Sequence, residues 1–264
     1  MTDRSLGSIP QSNSDHTLRG AEVPEATIVL VHGAWADGSS WNPVARELRN
    51  RGFSVLTPPN LLRGVTTDAP YVTSFVAQRV SGPVVLVGHS YGGFVITNAA
   101  TGAGDVRALV YVDAFIPDAG ETVFQILGGS GSALDVPDPT TVLDLAGYPG
   151  APDGDVEAFL KPDTVHTSFA QDLPEDDRWR IVESQRPITL SANLTPGTDA
   201  VWRSLPSWTV VGTEDLVIPP GTQRTMAERA GSTITEVAGS HVSMVSNPQA
   251  TIDAILAAAE AAGG

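Results

Sequence analysis

At 264 residues, the chain is long enough for one large domain around a single core, with room for an insertion. A formal net charge of −15 argues against nucleic acid or an anionic membrane as the partner, because both attract basic surfaces. No apolar run approaches the roughly 20 residues of a membrane-spanning helix, and the absence of cysteine excludes disulfides and thiolate metal sites.

The first 25 residues are polar and lack the apolar centre of a secretion signal. We therefore expect residues 1–25 to form a flexible polar tail and the protein to be cytoplasmic.

Strand and helix signals alternate along the first half of the chain. Residues 27–32 form a continuous β-branched run, typical of a strand covered on both faces. Asp68 is a candidate N-cap for a helix that carries apolar residues on one face. The pattern predicts strands at 27–32, 53–58, 83–89 and 107–115, separated by helices near 41–51, 68–80 and 91–101.

The alternation breaks between about residues 117 and 200, a segment rich in Pro, Gly and Asp that is too long for a loop. It resumes with strands at 207–213 and 233–238 and a helix near 223–230. A last helix is expected after Asn247-Pro248, since Asn at the N-cap and Pro at the first position favour a helix start. These elements predict an α/β fold, with a doubly wound, mostly parallel sheet of about six strands. Its core comprises 26–116 and 201–264, and a mostly helical cap comprises 117–200.

A serine with glycines two residues before and two residues after it lies at the end of the predicted strand 83–89. The segment Gly88-His89-Ser90-Tyr91-Gly92 matches G-x-S-x-G, the nucleophile elbow, between a β-branched strand and an apolar helix. A turn this sharp presses the residues two before and two after the serine together, and it exposes the hydroxyl at a helix N-terminus. Because neither phosphate-binding glycine motif is present, the pattern favours a presented nucleophile over a phosphate cradle.

A nucleophilic serine needs a base, and the base needs a carboxylate to orient it. Among the five histidines, only His241 follows a strand late in the chain, where this chain order puts the base. Asp215 follows the penultimate predicted strand and is the favoured acid. Asp113, at the end of an earlier strand, stays open as the alternative acid or as a structural carboxylate.

The negative oxygen of a tetrahedral intermediate needs preorganised N–H donors. One is expected from the backbone of Tyr91, the residue after the serine. The other is expected from the backbone of Ala34, in the loop after the first strand, where Gly33 allows a close approach to the site. This loop and the elbow together predict an oxyanion hole.

Four stretches together resemble the α/β-hydrolase superfamily, in its branch of small esterases, plant methylesterases and hydroxynitrile lyases. They are LVHGAWADGSSWNPVARELRNRGFSVLTP, GHSYGG, GTEDLVIP and GSHVSM, and the resemblance runs from about residue 27 to the end, thinning across the insertion. It implies a lidded fold, a Ser90–His241–Asp215 triad, no cofactor and ester substrates with apolar parts. Hydroxynitrile lyases of this branch carry threonine where this chain has Gly33 and lysine where it has Val242, so the resemblance favours hydrolysis.

The predicted function is therefore hydrolysis of a small apolar carboxylic ester or lactone through an acyl-enzyme, without metal or other cofactor. A cofactor-free lyase or dioxygenase on the same fold, and a slow-turnover ligand-binding receptor, stay open as alternatives, as does a homodimer. Six aromatic residues are candidates for the substrate pocket, although core packing explains each of them as well. They are Trp35, Phe115, Phe124, Phe159, Phe169 and Trp179.

Overall fold

Six parallel strands form the central sheet in this computed structural model, which describes residues 26–263. The tail predicted for residues 1–25 lies outside the described residues. With strands numbered along the chain, the sheet order is β2 (Val55–Leu56), β1 (Thr27–Val31), β3 (Pro83–His89), β4 (Asp105–Val112), β8 (Ser207–Gly212) and β9 (Thr233–Val237). The predicted α/β class, with its doubly wound sheet of six strands, is confirmed.

The sheet is covered on both sides, which explains its continuous apolar strands. Every residue of β3 is buried, and so are four of the five in β1. The flanking helices are α1 (Asn42–Asn50), α2 (Val65–Arg79), α3 (Tyr91–Ala99), α8 (Pro220–Arg229), α9 (Ser243–Ser246) and α10 (Pro248–Ala262). Helix α1 packs against α10, and α2 packs against α3. From β1 to β2 the chain moves toward one edge of the sheet, and from β2 to β3 it moves toward the other edge. Right-handed crossovers in these two directions put the two helix pairs on opposite faces of the sheet.

Several element boundaries differ from the predicted ones. The strand expected at 53–58 is reduced to Val55–Leu56. Helix α2 begins at Val65, so Asp68 lies inside its first turn and is not the N-cap. Asn247 does occupy the N-cap position of α10, but its side-chain amide donates to the carbonyl of Ala238 at 2.6 Å and does not cap the helix.

The insertion combines short helices with a second sheet. The sheet is antiparallel, in the order β5 (Leu143–Ala146), β6 (Glu157–Leu160) and β7 (Ile188–Thr189). The cap helices are α4 (Val123–Leu127), α5 (Pro162–Thr164), α6 (Glu175–Ser184) and α7 (Leu190–Leu194), with a π-helical turn at Val165–Phe169. Single 3₁₀ turns lie at Gly38–Trp41, Pro139–Thr141 and Val201–Arg203. The sequence pattern predicted helices for the cap, and its small sheet went unpredicted.

Candidate active site

Ser90 lies at the carboxyl end of β3, immediately before α3. Its backbone has φ 51° and ψ −123°, a left-handed φ that non-glycine residues rarely adopt. A Cβ on Gly88 would lie 2.6 Å from the carbonyl oxygen of Gly92, so this sharp turn needs glycine at residue 88. The turn places the buried Ser90 side chain in the wall of a cavity, at the start of the helix.

His241 and Asp215 lie beside this serine in one hydrogen-bonded chain. His241 Nε2 is 2.8 Å from Ser90 Oγ, and His241 Nδ1 is 2.8 Å from Asp215 Oδ2. All three residues are buried, with His241 fully excluded from solvent. The side chains come from the ends of β3 and β8 and from the loop after β9, which lie at one edge of the sheet.

The loop around Asp215 fixes the direction of both carboxylate oxygens. Oδ1 accepts the backbone N–H groups of Val217 at 2.8 Å and Ile218 at 2.9 Å. Oδ2 accepts the side-chain amide of Gln223 at 2.7 Å in addition to the imidazole. A carboxylate only accepts, so His241 donates from Nδ1, and its Nε2 is left to accept the Ser90 hydroxyl proton. Gln223 had no local sequence signal.

The two residues expected to supply oxyanion donors border the same cavity as Ser90. Ala34 and Tyr91 both line it, and within residues 26–263 neither backbone N–H has a hydrogen-bond acceptor. A Cβ on Gly33 would lie 2.6 Å from the Cβ of Ser90, so glycine is needed for this close approach of the loop. Trp35, two residues after Gly33, has a left-handed φ of 57°.

Asp113 is a second buried carboxylate at this sheet edge, at the end of β4. Its Oδ1 accepts the N–H of Gly212 at 2.8 Å, and its Oδ2 accepts the N–H of Ser243 at 2.9 Å. Burial, followed by the nearby charge of Asp215, raises the pKa of Asp113 to about 7. Both oxygens are directed at backbone N–H groups, whereas Asp215 bonds the imidazole. The geometry therefore favours Asp215 over Asp113 as the triad acid.

Two further buried histidines support the site through backbone contacts. His89 Nε2 donates to the carbonyl of His241 at 2.7 Å, and burial lowers the pKa of His89 well below its usual value. His32 Nδ1 donates to the carbonyl of Gly33 at 2.8 Å, while its Nε2 accepts the N–H of Asn60 at 3.0 Å. Burial lowers the pKa of His32 also. Both rings therefore stay neutral and hold the loops next to the serine.

Asp68 is not the predicted helix N-cap, and its side chain bonds other groups. Its carboxylate accepts the N–H groups of Arg63 and Gly64 at 3.1 Å and the hydroxyl of Tyr91 at 2.9 Å. Burial raises the pKa of Asp68. The Tyr91 hydroxyl is thus bonded to α2, through Asp68.

The cavity above Ser90 has a volume of about 110 Å³ and is largely apolar. Trp35, Phe115 and Phe124 lie in its wall, as expected. The structure places Phe159, Phe169 and Trp179 outside this wall, so the prediction is wrong for these three. Its other apolar residues include Leu127, Leu134, Leu143, Ala158, Ile188, Leu190 and Val217.

Phe169, Phe159 and Trp179 occupy other places in the cap. Phe169 stacks edge-on against His241, with ring centroids 5.1 Å apart, and also contacts Trp35. Phe159 follows Ala158 on β6 and points to the opposite face of the small sheet. Trp179 is 43% exposed and packs against a histidine of the cap.

No group of three His, Asp or Glu side chains is arranged to hold a metal ion within the described chain. Of the helices between residues 26 and 263, none is long and apolar enough to cross a membrane.

The sequence matches the model of the alpha/beta hydrolase family over residues 28–254. The chain belongs to this family. It is 39% identical over 114 residues to a carbendazim hydrolyzing esterase of Nocardioides sp. (strain SG-4G), a match that spans 39% of this chain and only 47% of that relative. It is 26% identical to methylesterase 2 of Arabidopsis thaliana over 88% of this chain and 95% of that protein. The resemblance inferred from the four sequence stretches is confirmed.

A solved hydrolase structure has the same fold. The pyrethroid hydrolase from Sphingobium faniae JZ-2 superposes with a TM-score of 0.71 at 21% identity, over 90% of this chain and 99% of that one.

Proposed function

We propose that this protein is a serine esterase that hydrolyses small apolar carboxylic esters or lactones through an acyl-enzyme. The observation that carries the proposal is the unbroken hydrogen-bonded chain from Ser90 through His241 to Asp215, with 2.8 Å at each link. A hydroxyl, a neutral imidazole and a buried carboxylate in this order are the parts that nucleophilic acyl transfer requires.

The first half of the proposed reaction forms the acyl-enzyme. Ser90 Oγ attacks the carbonyl carbon while His241 Nε2 takes the hydroxyl proton, and Asp215 pairs with the resulting imidazolium. The carbonyl oxygen becomes an oxyanion and accepts the N–H groups of Ala34 and Tyr91, each contributing roughly 2.7–4 kcal/mol to lowering the barrier. The bond to the alkoxy group then breaks as His241 returns its proton to the leaving oxygen.

The second half releases the acid. Water enters the place of the alcohol, and His241 removes one of its protons as the oxygen attacks the acyl carbon. The same N–H groups hold the second oxyanion. When this intermediate collapses, the bond to Ser90 Oγ breaks, and His241 returns the proton to the serine.

The cavity supports an apolar substrate of modest size. Apart from Ser90 and Asn193, the side chains in its wall are apolar, or their polar groups are already engaged, like the Tyr91 hydroxyl. Both named relatives are esterases, and the superposed structure is a pyrethroid hydrolase. These names support ester hydrolysis as the reaction class, without naming the ester.

Two positions favour hydrolysis over cyanohydrin cleavage. Gly33 occupies the place of a threonine and Val242 that of a lysine in the lyases that the sequence resembles. Val242 is a buried apolar residue. Because valine carries no charge, the residue after the histidine offers no cation to a departing cyanide. We therefore keep the lyase as the weaker alternative.

The test is hydrolysis of p-nitrophenyl butyrate by the wild type and by Ser90→Ala, with Ser204→Ala as the matched control on an exposed serine. We expect Ser90→Ala to lose at least about 10⁴-fold in kcat, because the residue that forms the acyl-enzyme is gone. Ser204→Ala should keep the wild-type rate.

A fluorophosphonate should also label the wild type at Ser90 and leave Ser90→Ala unlabelled. Tight ligand binding, with no faster ester hydrolysis in the wild type than in Ser90→Ala, would replace the esterase with a carrier or receptor.

A further inference from the structure

One short cap segment contacts the two loops that carry Asp215 and His241. This segment, residues 169–172, is called the clamp segment. Phe169 is fully buried, and its ring stacks edge-on against the imidazole of His241, with centroids 5.1 Å apart and planes at 63°. The segment begins at the last residue of the π-helical turn Val165–Phe169, and such turns are rare but frequent at functional sites.

The two polar residues of the clamp segment bond the backbone immediately before each triad partner. The Gln171 side-chain amide donates to the carbonyl of Glu214 at 2.7 Å, one residue before Asp215. Asp172 Oδ2 accepts the N–H of Ser240 at 3.0 Å, one residue before His241. Adjacent cap residues therefore hold the acid loop and the histidine loop at the same time.

The remaining polar atoms of these two side chains are not used elsewhere. Gln171 Oε1 and Asp172 Oδ1 are both buried and have no hydrogen-bond partner within residues 26–263. A buried acceptor without a partner is costly, so packing stability alone is a poor reason for these residue types. Their one bond each, to a catalytic loop, is the contact that accounts for them.

The cap also holds the third catalytic loop, the one with the expected oxyanion donor. The backbone N–H of Trp35 donates to the carbonyl of Arg186, and its indole N–H donates to the carbonyl of Ala158, both at 2.9 Å. The loops that carry Asp215, His241 and Ala34 are thus each bonded to the cap.

We propose that Gln171 and Asp172 are positioning residues through which the docked cap holds the acid and histidine loops in register for catalysis. This inference rests on the proposed function and adds that the cap does more than cover the cavity. Without the bond from Asp172 to the Ser240 N–H, the histidine loop can shift. A shift of about 1 Å in a reacting group lowers the rate by about 100-fold. Neither residue lines the substrate cavity, so the effect falls on kcat and not on KM.

The experiment compares Asp172→Ala, Asp172→Asn and Gln171→Ala with a control, Glu175→Ala, an exposed acidic residue in the first turn of α6. Asparagine at residue 172 keeps an oxygen that accepts the Ser240 N–H. We expect Asp172→Ala and Gln171→Ala each to lower kcat for p-nitrophenyl butyrate about 10-fold, with KM within twofold. Asp172→Asn and Glu175→Ala should stay within threefold of the wild type in both constants.

Hydrogen exchange supplies a readout that does not depend on turnover. The Ser240 amide should exchange at least 10-fold faster in Asp172→Ala than in the wild type, and at the wild-type rate in Asp172→Asn. Unchanged kcat and exchange in Asp172→Ala would overturn the proposal, and so would an equal loss in Asp172→Asn. A wild type without any Ser90-dependent turnover would instead overturn the proposed function, and this inference with it.

Discussion

Asp215→Asn tests how the carboxylate orients the imidazole. Oδ1 accepts two backbone N–H groups, from Val217 and Ile218. Turning the new amide toward them would leave two buried donors unpaired, at about 1–3 kcal/mol each. The asparagine oxygen therefore stays there, and its NH₂ group faces His241 Nδ1. The imidazole must then accept at Nδ1 and carry its proton at Nε2, where it cannot take the proton of Ser90.

We expect kcat to fall about 10⁴-fold, or about 5 kcal/mol in the barrier. The free energy of unfolding should fall by about 1–3 kcal/mol, because the new NH₂ group cannot accept the Gln223 side-chain amide, while the two backbone bonds are kept. The assay is the initial rate with p-nitrophenyl butyrate, and the control is Glu214→Gln at the adjacent exposed position. More than a tenth of the wild-type kcat in Asp215→Asn, or an equal loss in Glu214→Gln, would refute the tautomer argument.

Three further changes test other parts of the site. Tyr91→Phe leaves the buried Asp68 one donor short, so urea titration should show unfolding free energy about 1–3 kcal/mol lower, with kcat within threefold. For Asp113, the folded pKa of about 7 exceeds the usual 3.8, so its stabilising contribution is complete below pH 3.8 and is lost as pH rises through 7. The free energy of unfolding of Asp113→Asn minus that of the wild type should therefore rise by roughly 4 kcal/mol between pH 4 and pH 8. A difference that does not change with pH would contradict this. Gly88→Ala forces a Cβ to within 2.6 Å of the Gly92 backbone, so soluble yield should fall; wild-type yield and activity would disprove the steric account.

Much of the fold followed from the sequence because its strands have strong patterns. The apolar run of β3, ending in G-x-S-x-G, placed Ser90 at a strand end. Parallel strands bring their carboxyl ends to one sheet edge. Asp215 and His241 were chosen because each follows a later strand. The structure brings these two side chains and Ser90 into contact, since the connections between the strands preserve that edge.

The cap was harder to predict because its elements are short and its partners are distant. Strands of two to four residues carry too little alternation to separate from turns. Phe159 was predicted for the pocket wall, where the structure has Ala158. Which of two successive residues faces the pocket depends on the alternation along the strand, and a four-residue strand is too short to show it. Asp172 bonds a residue 68 positions away, so no local pattern identifies it.

Two buried carboxylates at one sheet edge raise the question of how the site avoids two competing charges. Asp113 joins the end of β8, through Gly212, to the start of α9, through Ser243. Burial and the charge of Asp215 raise the pKa of Asp113 to about 7, so near neutral pH it is partly protonated. In the proposed mechanism, Asp215 is then the carboxylate that pairs directly with the imidazolium, because it alone of the two bonds the ring. Asp113 contributes by joining the end of β8 to the start of α9, and its partial neutrality limits the repulsion between the two carboxylates.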